Sequence, residues 1–182
     1  TSARHVHVSQ ADLNVLFGEG YELHAKKALS QPGQYACEER VDVVGPKKTI
    51  ASVGIIGPLR PHTQVEVSLT DARILGVHAP VRMSGDVGGT PGATLIGPVG
   101  RITIDKGVLA AQRHIHLTPE DAQRFAVADR QVVRLQVFTQ RPLIFDDVVV
   151  RGHKVFATSV HLDYDEANAC GFQNGDLGRI LQ

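Results

Sequence analysis

The sequence predicts a mainly β protein: two small β-barrel domains related by internal duplication, each with short capping helices, and with strands free to exchange between the halves. Three observations lead there. Short Val- and Ile-rich runs recur between Gly and Pro breaks along the 182 residues. No stretch shows the long 3.6-residue periodicity of alternating strands and helices. One pattern, Arg-His-apolar-His followed by a hydroxyl residue and an acid, occurs twice, at 4–12 and 113–121. The halves are expected at residues 1–106 and 107–182, a linear boundary that exchanged strands would blur.

The first copy, Arg4-His5-Val6-His7-Val8-Ser9-Gln10-Ala11-Asp12, alternates apolar residues and histidine with a period of two, as a short strand does. Ser9 then reads as a helix N-cap with an acid three residues on, and Leu13, Leu16 and Phe17 give the helix an apolar face. Strand-like runs follow at 41–44, 50–56, 64–69, 77–83, 94–96 and 101–104. The second copy, Arg113-His114-Ile115-His116-Leu117-Thr118-Pro119-Glu120-Asp121, aligns with the first without gaps. Thr118 takes the cap position, and Pro119 stands at the first helical position, where a missing N–H costs nothing. Ala122, Phe125 and Ala126 form the apolar side of that helix, and further strands are expected at 132–138, 143–150 and 155–162.

A second related pair, 65–76 and 160–171, reads in both cases as strand, cap, one or two helical turns and a terminating Gly76 or Gly171. Its alignment sets Glu66 opposite His161.

Composition excludes several classes. With 42% hydrophobic and 21% charged residues the chain is no disordered segment. Nineteen Lys and Arg balance nineteen Asp and Glu, which argues against a nucleic-acid or anionic-membrane partner. No apolar run approaches the ~18 residues of a membrane span, and no signal-peptide pattern opens the sequence, so a soluble intracellular protein is expected. Cys37 and Cys170 are too few for a disulfide framework and have no fixed base beside them in the sequence.

The nine histidines carry the chemistry. Strand residues two apart share a face, so His5 and His7 project together, as do His114 and His116. Each pair is half of a metal site, and Glu66 and His161 are the natural third ligands. Three protein ligands with an open position is the catalytic zinc arrangement. Zinc is favoured over magnesium because five of the six donors are imidazoles. Arg60, between Pro58 and Pro61 and just before Glu66, suggests a phosphate or carboxylate ligand beside the metals. The Gly-rich stretch 84–92 is a candidate for close backbone approach to a ligand. His24, His62, His78 and His153 have no counterpart in the repeat and receive no role.

Arg-His-Val-His at 4–7, Gly-Pro-Leu-Arg-Pro at 57–61, Gln-Val-Glu-Val-Ser at 64–68, Arg-Met-Ser-Gly-Asp at 82–86, Gly-Thr-Pro-Gly at 89–92, Arg-His-Ile-His at 113–116 and Val-His-Leu-Asp at 160–163 together resemble the PduL-type phosphotransacylases, or phosphate propanoyltransferases. The resemblance spans essentially the whole chain. It implies paired β-barrels with a dinuclear zinc site, two Zn(2+) per chain, and the reversible reaction acyl-CoA + phosphate ⇌ acyl phosphate + CoA on short acyl groups such as propanoyl or acetyl. By motif, the zinc ligands fall on His5, His7 and Glu66 and on His114, His116 and His161. The phosphate-contacting catalytic Arg falls on Arg60. Coenzyme A contacts fall on Lys27, Ser84 and Asn168.

The partners so implied are acyl-CoA and phosphate, with no nucleic acid and no membrane, and with a homo-oligomer left open. Family members of propanediol-utilising microcompartments carry an N-terminal targeting extension that meets the shell. This sequence starts almost at its first His-x-His, so the expected location is the microcompartment lumen if the native protein has that extension and the cytoplasm if not. Direct attack of phosphate on the thioester is expected ahead of a ping-pong route. The competing readings are a zinc-dependent acyl-CoA thioesterase or other metallohydrolase, and a noncatalytic scaffold with structural metals.

Overall fold

A computed structural model of the chain describes residues 1–173 and 175–181. Two compact units emerge, one made of Ala3–Leu29 and Gly33–Ala111, the other of Thr1–Ser2, Ser30–Pro32 and the chain from Gln112 onward.

The first unit contains β1 (His5–His7), α1 (Gln10–Phe17), β2 (Ala25–Ala28), β3 (Tyr35–Val44), β4 (Thr49–Gly57), β5 (Gln64–Val67), α2 (Leu69–Leu75), β6 (Val81–Arg82), β7 (Ala93–Ile96), β8 (Arg101–Ile104) and β9 (Val108–Ala111). Its sheet runs β6-β9-β5-β1-β4-β3-β7-β8, with β2 paired to β3. Alternation along β3 turns Cys37, Val41 and Val43 inward, where they meet Val6, Val8, Leu13, Leu16, Ile55, Val65, Leu75 and Leu95.

The second unit contains β10 (His114–Leu117), α3 (Pro119–Arg124), β11 (Val132–Phe138), β12 (Leu143–Gly152), β13 (Ser159–His161), α4 (Tyr164–Cys170) and β14 (Leu177–Leu181). Its order is β13-β10-β12-β11-β14, around a core of Ile115, Leu117, Val133, Leu135, Val148 and Val150.

The fold is mainly β with few short helices, but the sheets are curled half-barrels, not closed barrels. Among the described residues no ladder joins the two ends of either sheet. End strands of two residues in β6 and three in β13 supply too few backbone groups for a closing seam. The expected runs at 77–83 and 155–162 shrink to these short strands.

Among the described residues all four helices open on an N-cap, at Ser9 and Thr118 as the sequence predicts. The side chains of Ser9, Ser68, Thr118 and Asp163 accept from the backbone N–H three residues on, with full capping boxes at Ser68/Asp71 and Asp163/Glu166. Gly76 and Gly171 end α2 and α4 in the left-handed conformation, at φ 82° and 65°. No helix among the described residues is long and apolar enough to cross a membrane.

Candidate metal centres

The same three-strand arrangement builds a histidine-rich site in each unit. In the first, β1 lies between β4, to which it is parallel, and β5, to which it is antiparallel, and His5 stands directly opposite Glu66. In the second, β10 lies between parallel β12 and antiparallel β13, and His114 stands opposite His161. Because side chains alternate along a strand, His7 and His116 join their partners on the same face. The six expected ligands thus gather as two triads, each with its donor atoms within 4.8 Å of one another. All are buried except His161, which is partly exposed.

The imidazoles are oriented for ligation. Nδ1 of His5 lies 2.7 Å from the Ala3 carbonyl, Nδ1 of His7 lies 3.0 Å from that of Ile56, and Nδ1 of His114 lies 2.8 Å from that of Gln112. A ring that donates its Nδ1–H to a carbonyl keeps its lone pair on Nε2. In the first triad Nε2 of His5 is 3.2 Å from Nε2 of His7 and 3.5 Å from Oε2 of Glu66. His116 buries both ring nitrogens without any hydrogen-bond partner. Orphaned buried nitrogens and converging lone pairs are the donor set that a zinc ion satisfies, so the residues fit the metal.

Charge follows the same division. Burial works against the Glu66 carboxylate, yet His5, His7 and the Ser84 hydroxyl together hold it well below the usual carboxylate range. Burial, reinforced by His5 and Arg60, pushes His7 down to about 3. Burial with His114, His161 and Arg151 pushes His116 down to about 3 as well. Both rings are therefore neutral, ligand-competent imidazoles at neutral pH.

Two latches recur in both units, and the sequence patterns did not reveal them. Arg4 pairs with Asp71 at 3.1 Å, and Arg113 pairs with Glu166 at 2.6 Å, so the Arg before each His-x-His is bound to the helix that follows the third ligand. Thr63 donates to Asp12, and Thr158 donates to Asp121, tying the strand of the third ligand to the helix that follows the His pair. Their signal in the sequence is positional equivalence: Asp71 aligns with Glu166, Thr63 with Thr158 and Asp12 with Asp121.

Arg60 joins the first triad through a hydroxyl. Its backbone N–H donates to the Val8 carbonyl at 3.0 Å, and its Nη1 donates to Ser84 Oγ at 2.8 Å. Ser84 in turn donates to Oε1 of Glu66 at 2.6 Å. Of the expected coenzyme A contacts, Ser84 is therefore engaged at the triad, Lys27 lies on exposed β2, and Asn168 lies on an exposed position of α4. The stretch 84–92 makes its close approach to protein backbone: a Cβ on Gly92 would meet the Ile104 carbonyl, whereas Gly85 and Gly89 face open space. Cys37 and Cys170 are both buried, and burial pushes the Cys37 thiol up to about 11, which leaves it unreactive.

Comparison with known proteins points to one family. The sequence profile of the family described as phosphate propanoyltransferase matches residues 1–173. A protein named phosphate propanoyltransferase from Clostridioides difficile is 52% identical over 181 residues, covering 100% of this chain and 87% of that protein. One of the same name from Enterococcus faecalis is 54% identical over 181 residues, with 100% and 86% covered. Another, from Thermotoga maritima, is 53% identical over 182 residues, with 100% and 87% covered.

Proposed function

The chain belongs to the phosphate propanoyltransferase family, and from that premise we propose that it transfers short acyl groups such as propanoyl or acetyl reversibly between coenzyme A and phosphate, with one zinc ion held by each triad. The observation that carries this reading is the convergence of His5, His7 and Glu66, and of His114, His116 and His161, with Arg60 wired to the first group through Ser84. Zinc held by such donors supplies Lewis acidity for a carbonyl oxygen and a soft partner for a thiolate.

The chain's own residues do the rest. Arg60 holds phosphate by charge-assisted hydrogen bonds and brings an oxygen within reach of the thioester carbonyl carbon. A C–O bond forms, the C–S bond breaks, and the electron pair leaves with the coenzyme A sulfur. Glu66, held anionic, and the neutral rings of His7 and His116 keep their donor atoms available without first losing a proton. Both cysteines are buried, which favours direct attack by phosphate over an acylated thiol. Lys27 and Asn168 belong to the proposal as coenzyme A contacts on the family resemblance alone. Descent of the two halves from one duplicated unit belongs to it too, supported by the paired latches. So does residence in a microcompartment, which cell fractionation would test.

The deciding experiment measures thiol release from acetyl-, propanoyl- and butanoyl-CoA with and without phosphate, beside elemental analysis for zinc. Phosphate-dependent release with acyl phosphate formed supports the proposal. Release of free acid without any phosphate requirement would make the protein a metal-dependent thioesterase instead.

A further inference from the structure

We propose that two buried glutamines, Gln64 and Gln31, are positioning residues for the third ligands Glu66 and His161, Gln64 both directly and through the Ser84 hydroxyl, Gln31 through the Ser159 hydroxyl. The inference rests on the metal reading above and extends it to residues that no ligand pattern contains.

Gln64 is 2% exposed on β5, two residues before Glu66. Its Oε1 accepts from the Gly85 N–H at 3.0 Å, which fixes the amide so that its NH2 faces the triad. That NH2 donates to Oε1 of Glu66 at 2.6 Å and to Ser84 Oγ at 3.0 Å. Ser84 then has its hydroxyl fully used, accepting from Gln64 and Arg60 and donating to the same Oε1 of Glu66. Two donors thus occupy Oε1, and Oε2, 3.5 Å from Nε2 of His5, is the oxygen turned to a metal.

Gln31 repeats the device by another route. It is 3% exposed and reaches a segment 126 positions later in the chain. Its Oε1 accepts from the Ala157 N–H at 3.2 Å, and its NH2 donates to the Ala157 carbonyl and to Ser159 Oγ, both at 2.8 Å. Ser159 Oγ lies 3.2 Å from Nε2 of His161. The amide therefore pins the backbone leading into β13 and the hydroxyl that sets the His161 ring. A glutamine buried merely to satisfy itself would need no serine at a ligand; both of these have one, in two units of different local sequence. Second-layer groups of this kind fix the rotation and basicity of a ligand, and their loss typically costs ~10–100-fold in metal affinity.

The test measures metal binding directly. In a His116→Ala background only the first triad remains complete, and in a His7→Ala background only the second. Zinc affinity is read by competition with a chromophoric chelator, and the ligand field by the visible absorption of cobalt(II). Gln64→Leu and Ser84→Ala should weaken binding ~10–100-fold and shift the cobalt band in the His116→Ala protein, with no change in the His7→Ala protein. Gln31→Leu and Ser159→Ala should do the converse. Ser84→Thr and Ser159→Thr, which keep a hydroxyl, should recover most of the affinity.

Folded variants, checked by circular dichroism, that keep parental affinity and an unshifted band would overturn the positioning role. The serine variants decide the matter where a glutamine variant fails to fold. A parent chain that binds no metal at either triad would overturn the metal reading itself, a result distinct from a pair of intact sites indifferent to the glutamines.

Discussion

His161 faces His114 across the antiparallel β10–β13 pair, and the two rings stack with centroids 4.8 Å apart and an interplanar angle of 15°. Directly opposed cross-strand residues lie close enough for their side chains to interact, which is what brings these two rings together. His116 is 4.7 Å from each of these rings, with the Phe156 ring stacked 4.2 Å from it. The three imidazoles thus share one space, in which His114 and His116 are buried and His161 is partly exposed.

Removing the third ligand should empty one site and leave the other. Glu66→Ala and His161→Ala are each expected to reduce bound zinc from two ions per chain to one and to abolish phosphate-dependent acyl transfer, because a two-histidine half site binds weakly. Elemental analysis of the purified variants checks this. Two retained ions in either protein would refute the ligand assignment.

Arg60→Ala should raise the phosphate KM strongly while leaving acyl-CoA KM and zinc content near their starting values. Arg60→Lys should recover only part of the loss, since an ammonium lacks the planar fork. Varying the two substrates separately checks it. An unchanged phosphate KM in folded, two-zinc Arg60→Ala protein would remove Arg60 from phosphate binding.

Away from the triads, a pH-sensitive pair joins β3 to the segment before β2. Glu39 is buried on the inward face of β3 and accepts from Nδ1 of His24 at 2.7 Å, from the His24 backbone N–H and from the Tyr21 hydroxyl. The Glu39 hydrogen bond raises His24 above its ordinary value; burial works against the Glu39 carboxylate, but its hydrogen bonds more than offset that and hold it low. The His24 contribution is whole below the unfolded value of 6.5 and fades as pH climbs through the raised one. The Glu39 contribution is whole above 4.5 and fades as pH falls through the depressed one, so the pair is strongest between those two values. An NMR titration should place the His24 midpoint above 6.5 and move it down toward 6.5 in Glu39→Gln. The same midpoint in both proteins would exclude the coupling.

Two glycines of the 84–92 stretch should respond differently to alanine. A Cβ on Gly92 would lie 1.9 Å from the Ile104 carbonyl oxygen, a backbone clash that no rotamer relieves, and Gly92→Ala is expected to cost ~1–3 kcal/mol or more. A Cβ on Gly88 would meet only Asp86 Oδ1 at 3.8 Å, and Gly88→Ala should stay within about 0.5 kcal/mol. Thermal melts of the two variants give the comparison, and equal melting temperatures would contradict it.

The His pairs were legible because strand alternation is written locally, and Glu66 and His161 because the two copies align without gaps around them. The caps at Ser9 and Thr118 were legible for the same reason: a cap and its partner lie three residues apart. Pairing partners were not. Nothing local says that β1 runs parallel to β4, or that Gln31 reaches Ala157. Of the strands not expected from the sequence, β2, β9 and β14, the first two carry a weak signal. The exposed Ala-Lys-Lys-Ala of β2 has low strand propensity, and the fully buried start of β9 shows no alternation. Conversely, 155–158 carries Val and Phe but bends to meet Gln31, a contact that overrides its propensity.

The placement of β1 between β4 and β5 also orders events at the ribosome. β1 is made before both of its neighbours, which are not complete until residue 67, so at ~5–20 residues per second the His5–His7 pair waits about 3–12 s for Glu66. The β10 pair likewise waits for β13. Nascent chains therefore expose paired imidazoles before their carboxylate or third ring arrives, and the sheet cannot close around a ligand set until its most distant contact has formed. On the proposed function, metal capture would be coupled to this slow, long-range step of folding, so the order of synthesis would set when each triad becomes able to hold its ion.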